Sequence, residues 1–144
     1  MLVKDIYHKP TFVESGMTIE AVAEIMAFKD IGSVIVGTAD KPEGIFSERD
    51  ILKKIVSKGV SPKNAKVSEH MSSPIITIDD DKPVTAAMRI ITEHHIKRLP
   101  VVLEGKIVGM LTARSIMENV GRSIINEKIS FSGTDSRKDT PGFW

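Results

Sequence analysis

One stretch of this chain is written twice. Gly44-Ile45-Phe46-Ser47-Glu48-Arg49-Asp50-Ile51 returns as Gly109-Met110-Leu111-Thr112-Ala113-Arg114-Ser115-Ile116, about 65 residues further on. In the first copy, a glycine and two apolar residues end a strand. Ser47 then opens a run in which Ile51, Leu52, Ile55 and Val56 have helical spacing. Such a junction leaves unpaired N–H groups at a helix start, where an anion is favoured. Ser47 adds a hydroxyl, and Asp50 an acceptor suited to paired sugar hydroxyls. The same Ser-x-x-Asp spacing equally describes a capping box, in which the serine satisfies a helix-end N–H and the acid reaches back.

The surroundings repeat as well. Thr18 caps a predicted helix whose Ile19, Val22, Ala23 and Met26 form one apolar stripe ending near Lys29-Asp30. Val84, Ala87, Met88 and Ile91 restate that stripe. The β-branched run Ser33 to Val36 is matched by Leu99 to Val102, the lead-in Val3-Lys4-Asp5-Ile6 by Val67 to Met71, and the extended piece Pro10-Thr11-Phe12-Val13 by Pro74-Ile75-Ile76-Thr77. The second copy has one extra residue, placed near Asp79-Asp80-Asp81. Residues 1–60 and 61–121 thus read as two copies of a β-α-β-β-α unit, an α/β (α+β) fold. Each is too small to bury its sheet alone, so the two are expected to pack face to face with pseudo-twofold symmetry. Residues 122–144 stand apart. Ile124, Ile125 and Ile129 can prolong the last helix, and a polar, flexible end carrying Phe131, Phe143 and Trp144 is expected after it.

Composition removes whole classes of function. The 144 residues include no cysteine, which excludes disulfides, thiolate catalysis and thiolate metal sites. Lys plus Arg at 20 against Asp plus Glu at 19 gives no field that would draw nucleic acid, although Lys53, Lys54, Lys58, Lys63 and Lys66 form a local basic group. No apolar run approaches the roughly 20 residues of a membrane span, and no signal-type segment opens the chain, so a cytoplasmic protein is expected. The adjacent His94-His95 lack the spacing of helical metal ligands. Asp79-Asp80-Asp81 lacks the glycine and distal glutamate of a calcium loop and fits capping of the following helix. No nucleophile with an identifiable base stands out.

The duplicated order of strands and helices, the repeated junction and the run His95 to Val102 together resemble a tandem cystathionine-beta-synthase (CBS) domain pair, or Bateman module, here free-standing. The resemblance covers roughly residues 1–121. It implies a regulatory, non-catalytic module needing no cofactor, which binds AMP, ADP, ATP or S-adenosylmethionine between the repeats. It also implies a homodimer that signals to an effector protein.

Carried over residue by residue, the family pattern gives one complete pocket. Asp50 would hold the ribose, while Ser47, Lys97 and Arg98 would meet phosphate. Backbone of Ile75, Ile76 and Thr77, following Pro74, would read the adenine edge, with Ile45 and Ile76 around the ring. A second pocket of Phe12, Val13, Ser33, Thr112 and Ser115 departs from the pattern. Ser115 replaces the acid, and Gly32-Ser33 replace the cationic pair Lys97-Arg98, so weak or no binding, or an uncharged adenosyl ligand, is expected there. Arg49 and Arg114 either swing toward phosphate or lie along the solvated face.

Overall fold

The computed structural model describes residues 1–132. Each copy opens with a 3-10 turn, Val3–Asp5 or Val67–Glu69. The first copy continues as β1 (Phe12–Val13), α1 (Ile19–Lys29), β2 (Ser33–Gly37), β3 (Pro42–Ser47) and α2 (Glu48–Asp50), which widens into a π-helical segment, Ile51–Val56. The second follows as β4 (Ile78–Asp79), α3 (Val84–His94), β5 (Arg98–Leu103), β6 (Lys106–Thr112) and α4 (Ala113–Ser132). The chain thus has the expected mixed α/β architecture. Polar residues from Gly133 on, with Phe143 and Trp144, lie outside the described residues. No helix among those described is long and apolar enough to cross a membrane.

Two three-stranded sheets, β1-β2-β3 and β4-β5-β6, form in the same way. The outer strand pairs in parallel, which requires a crossover, and α1 or α3 supplies it; the other two strands form an antiparallel pair. Thr18 Oγ1 accepts the Ala21 N–H at 3.2 Å to start α1, and Asp30 ends it in the left-handed conformation, φ 53°. Strand β2 is apolar without alternation because both faces are covered. Val34 and Val36 pack against α1 residues Val22 and Met26, and Ile35 faces the other sheet with Ile107 and Met110. The fully buried Phe46, Ile19, Leu99 and Leu111 are each worth about 1.5–3 kcal/mol of transfer free energy.

The lead-ins are exchanged. Val3 is buried in the second repeat's core with Val84, Leu99 and Leu111, while Val67 is buried in the first with Ile19, Val22 and Phe46. Backbone bonds fix the exchange: Val3 N–H to Lys82 O and Val84 N–H to Met1 O on one side, Ile19 N–H to Ala65 O and Val67 N–H to Met17 O on the other. The exchange explains the repeated glycine. A side chain at Gly109 would collide with the Tyr7 ring, and one at Gly44 with Met71, so each glycine admits the other copy's lead-in.

Three details correct the reading of the sequence. The segment Pro74–Thr77 is not a strand; β4 begins at Ile78. In the first copy Ile35 donates its N–H to Thr11 O at 2.8 Å, but the matching residue on β5 is Pro100, which has no N–H to give. The extra residue consequently lies between Ser72 and Ile78, not at Asp79–Asp81: the bridges His8↔Met110 and Ile45↔Ser72 match the lead-ins before it, and Val13 and Ile78 occupy matching core positions after it. Nor does the acidic run cap α3. Pro83 is the N-cap and makes no side-chain bond, while Asp80 and Lys82 use their carbonyls to hold Lys4 and Val3 of the lead-in.

Candidate ligand clefts between the repeats

Each strand-to-helix junction faces the helix-to-strand turn of the other repeat, making two clefts. The first, about 360 Å³, is lined by Ile45, Ser47, Arg49, Asp50 and Ser72, and across from them by His94, His95, Ile96, Lys97 and Arg98. The second, about 470 Å³, joins Met110, Thr112 and Arg114 to the lead-in His8–Thr11 and the turn Asp30–Ser33, with Glu48 and Arg98 on its margin.

Asp50 is buried at 8% exposure. Its Oδ2 accepts from Ser47 N–H at 2.9 Å and Ser47 Oγ at 3.2 Å, and the Asp50 N–H returns to Ser47 Oγ at 3.4 Å. Its Oδ1 accepts from Ser72 Oγ at 3.4 Å and faces Lys54 Nζ at 3.2 Å. Lys54 also donates to His70 O at 2.9 Å and Ser72 Oγ at 3.2 Å, tying the junction to the other copy's lead-in. The capping box therefore forms, and it forms inside a cleft. These contacts use the about four lone-pair sites a carboxylate offers, so a sugar diol would bind here by replacing the Ser47 and Ser72 hydroxyls.

At the second junction Thr112 N–H donates to Ser115 Oγ and Ser115 N–H to Thr112 Oγ1, both at 3.0 Å, and Ser115 Oγ donates to Thr112 O at 2.9 Å. The same cap is built without charge. Thr112 lines the second cleft, but Ser115 does not.

Of the residues singled out from sequence, Ile45, Ser47, Arg49, Asp50, Lys97 and Arg98 meet in the first cleft, and Ser33 and Thr112 in the second. The others lie elsewhere. Ile75 and Phe12 pack in the apolar cluster between the sheets, Ile76 against the second core and Val13 in the first, while Pro74 and Thr77 are exposed. Without an N–H at Pro100, the pairing of β4 starts one residue later than that of β1, at Ile78 opposite Val101. Sequence reading passed over Ser72, His8 and Lys9, and it placed Lys54 only in a basic group although its i,i+4 spacing from Asp50 marks the pair. The first three depend on the lead-in exchange, whose only trace in sequence is the glycine opening both junction motifs. Among the described residues no group of three or more His, Asp or Glu could hold a metal.

The second cleft is not without cations. Lys9, Arg114 and Arg98 all line it. Arg98 is most of the way buried at 16% side-chain exposure, and its Nη2 donates to Glu48 Oε1 at 3.0 Å across the repeat boundary. The guanidinium lies on Gly32, where a Cβ would collide with it. The position that lacks a cation in its own copy thus receives one from the other.

Comparison with known proteins agrees with this architecture. The CBS domain family model matches residues 3–57 and 67–122. The protein MK0525 of Methanopyrus kandleri is 38% identical over 111 residues, 74% of this chain and 57% of its own, so the chain spans little more than half the length of that relative. Hypoxic response protein 1 of Mycobacterium tuberculosis is 30% identical over 111 residues, 76% of this chain and 78% of its own. Among solved structures, the CBS domain pair of protein MJ0100, in complex with 5′-methylthioadenosine and S-adenosyl-L-methionine, superposes with TM-score 0.75 at 28% identity, covering 85% of this chain and 98% of that one. With both copies matched, the chain belongs to the CBS domain family and carries a tandem CBS pair.

Proposed function

We propose that this CBS pair senses an adenosyl ligand, an adenine nucleotide (AMP, ADP or ATP) or S-adenosylmethionine, bound in the first cleft. One observation carries the reading: Asp50, a carboxylate fixed in position by Ser47, Ser72 and Lys54, shares a cleft of about 360 Å³ with Lys97 and Arg98 of the other repeat. A fixed acid on one repeat and two cations on the other match a sugar diol and a phosphate. The MJ0100 pair, solved with two adenosyl compounds, supports the ligand class.

The ligand would bridge the two repeats and shift the balance between two packings, read out by an effector protein in the cytoplasm. No catalytic step is assigned. Association as a homodimer fits the exposed apolar residues on the helical faces, Phe28, Leu52 and Val56 on one repeat and Met88, Met117 and Ile124 on the other. The same faces favour a second reading, a dimerisation or scaffold protein with vestigial clefts.

Isothermal titration with AMP, ADP, ATP and S-adenosylmethionine, in parallel with Asp50→Ala, separates the two. Saturable binding that Asp50→Ala abolishes supports the sensor. Silence of all four ligands at millimolar concentration leaves the scaffold, which sedimentation would then reveal as a stable dimer.

A further inference from the structure

Glu48 is the first residue of α2, directly after Ser47, so its carboxylate sits at the helix start where a ligand anion would be favoured. It is 69% exposed as a side chain, while the Arg98 it holds is 16% exposed and seated on Gly32. Among the described residues Glu48 is the only hydrogen-bond or ion-pair partner of the Arg98 side chain. The guanidinium that Glu48 holds on Gly32 lies at the margin of the second cleft, and Glu48 does not line the first, so a phosphate in the first cleft engages Arg98 only by drawing it off Glu48. The second copy has no counterpart to this restraint: Ala113 stands at the position matching Glu48.

We propose that Glu48 is a built-in competitor for ligand phosphate, an intramolecular anion that must give up Arg98 before a phosphorylated ligand can take it. The inference rests on the adenosyl-sensing reading and adds a specificity determinant to it. A ligand with phosphate has to displace the Glu48–Arg98 pair, whereas an adenosyl ligand without phosphate leaves the pair in place. Glu48 then lowers affinity for nucleotides relative to nucleosides, and Arg98 works against it.

The test is titration of the full chain with adenosine and with ADP, for the parent and for Glu48→Ala, Glu48→Gln, Arg98→Gln and the Glu48→Ala/Arg98→Gln double variant, with thermal unfolding to confirm that each folds. An ion pair with one exposed partner is weak, so removing Glu48 should tighten ADP by about two- to fivefold. Adenosine affinity should not change. Arg98→Gln should weaken ADP alone, and in that background the Glu48 substitution should have no further effect. The proposal is overturned if both Glu48 variants leave ADP affinity unchanged or lower it, or if they tighten adenosine equally. Those results would leave adenosyl sensing standing, because adenosine still binds. If neither adenosine nor ADP binds any variant, adenosyl sensing itself fails, and this inference with it.

Discussion

At Asp50 the helix cap is an anion inside a cleft; at Ser115 it is a hydroxyl turned back on its own backbone. The two junctions share register, cap geometry and glycine, and their helices then diverge. The first goes from α2 into a π-helical segment ending at Val56, the second runs as one helix to Ser132. Backbone architecture is therefore satisfied by either residue, and what Asp50 adds beyond a cap is charge aimed at a cavity. A fold that needs only a cap has no use for a carboxylate braced by a lysine from one side and a serine of the other copy from another.

The widest separation between the junctions is expected in binding. Asp50→Ala should weaken an adenosyl ligand at the first cleft by about a hundredfold, about 2.7 kcal/mol, whereas Ser115→Ala should change it less than about threefold. Titration calorimetry reads both, and equal effects would remove the distinction drawn between the clefts. Next in size are the exchanged lead-ins. Val3→Ala and Val67→Ala each delete a fully buried side chain and should cost about 2 kcal/mol in urea unfolding. Hydrogen exchange should show Val3→Ala loosening α3 and β5, and Val67→Ala loosening α1 and β2. The reverse pattern would mean that each lead-in serves its own copy.

Smaller again is the loss of the caps. Asp50→Ser gives the first junction the second's cap, so its stability should stay within about 1 kcal/mol of the parent while ligand affinity falls as in Asp50→Ala. Thermal unfolding with and without ligand separates the two roles. Least of all, Gly32→Ala should cost under about 1 kcal/mol, because the atoms a Cβ meets are the ends of the flexible Arg98 and Glu48 side chains. A large loss would show that Arg98 cannot leave its seat.

Much of the fold was legible because its parts are local. The stripe from Ile19 to Met26 and the run from Ser33 to Val36 report helix and strand through their own spacing, and duplication repeats the message. What was not legible depends on partners remote in sequence. Pro100 looks harmless within β5 and matters only because the N–H it lacks would have faced the segment before Ile78. Arg98 sits where a cleft cation belongs by position, yet its length and the bare backbone at Gly32 carry it to a glutamate 50 residues away. The acid in the first cleft was readable for the opposite reason, since Ser47 and Asp50 are close in the chain and their geometry is set within one turn.

The exchange of Val3 and Val67 between cores has a consequence for how such a chain can exist at all. A single copy, cut loose, would lack the valine that closes its core and would hold out a lead-in with nowhere to go. Its natural solution is a domain-swapped pair, in which two identical chains trade arms. The tandem arrangement makes that swap unimolecular: the connection from Gly59 to Lys66 holds the partner at the millimolar effective concentration typical of short tethers, whatever the abundance of the protein. Once joined, the two copies are free to differ, and Asp50 and Ser115 record that freedom.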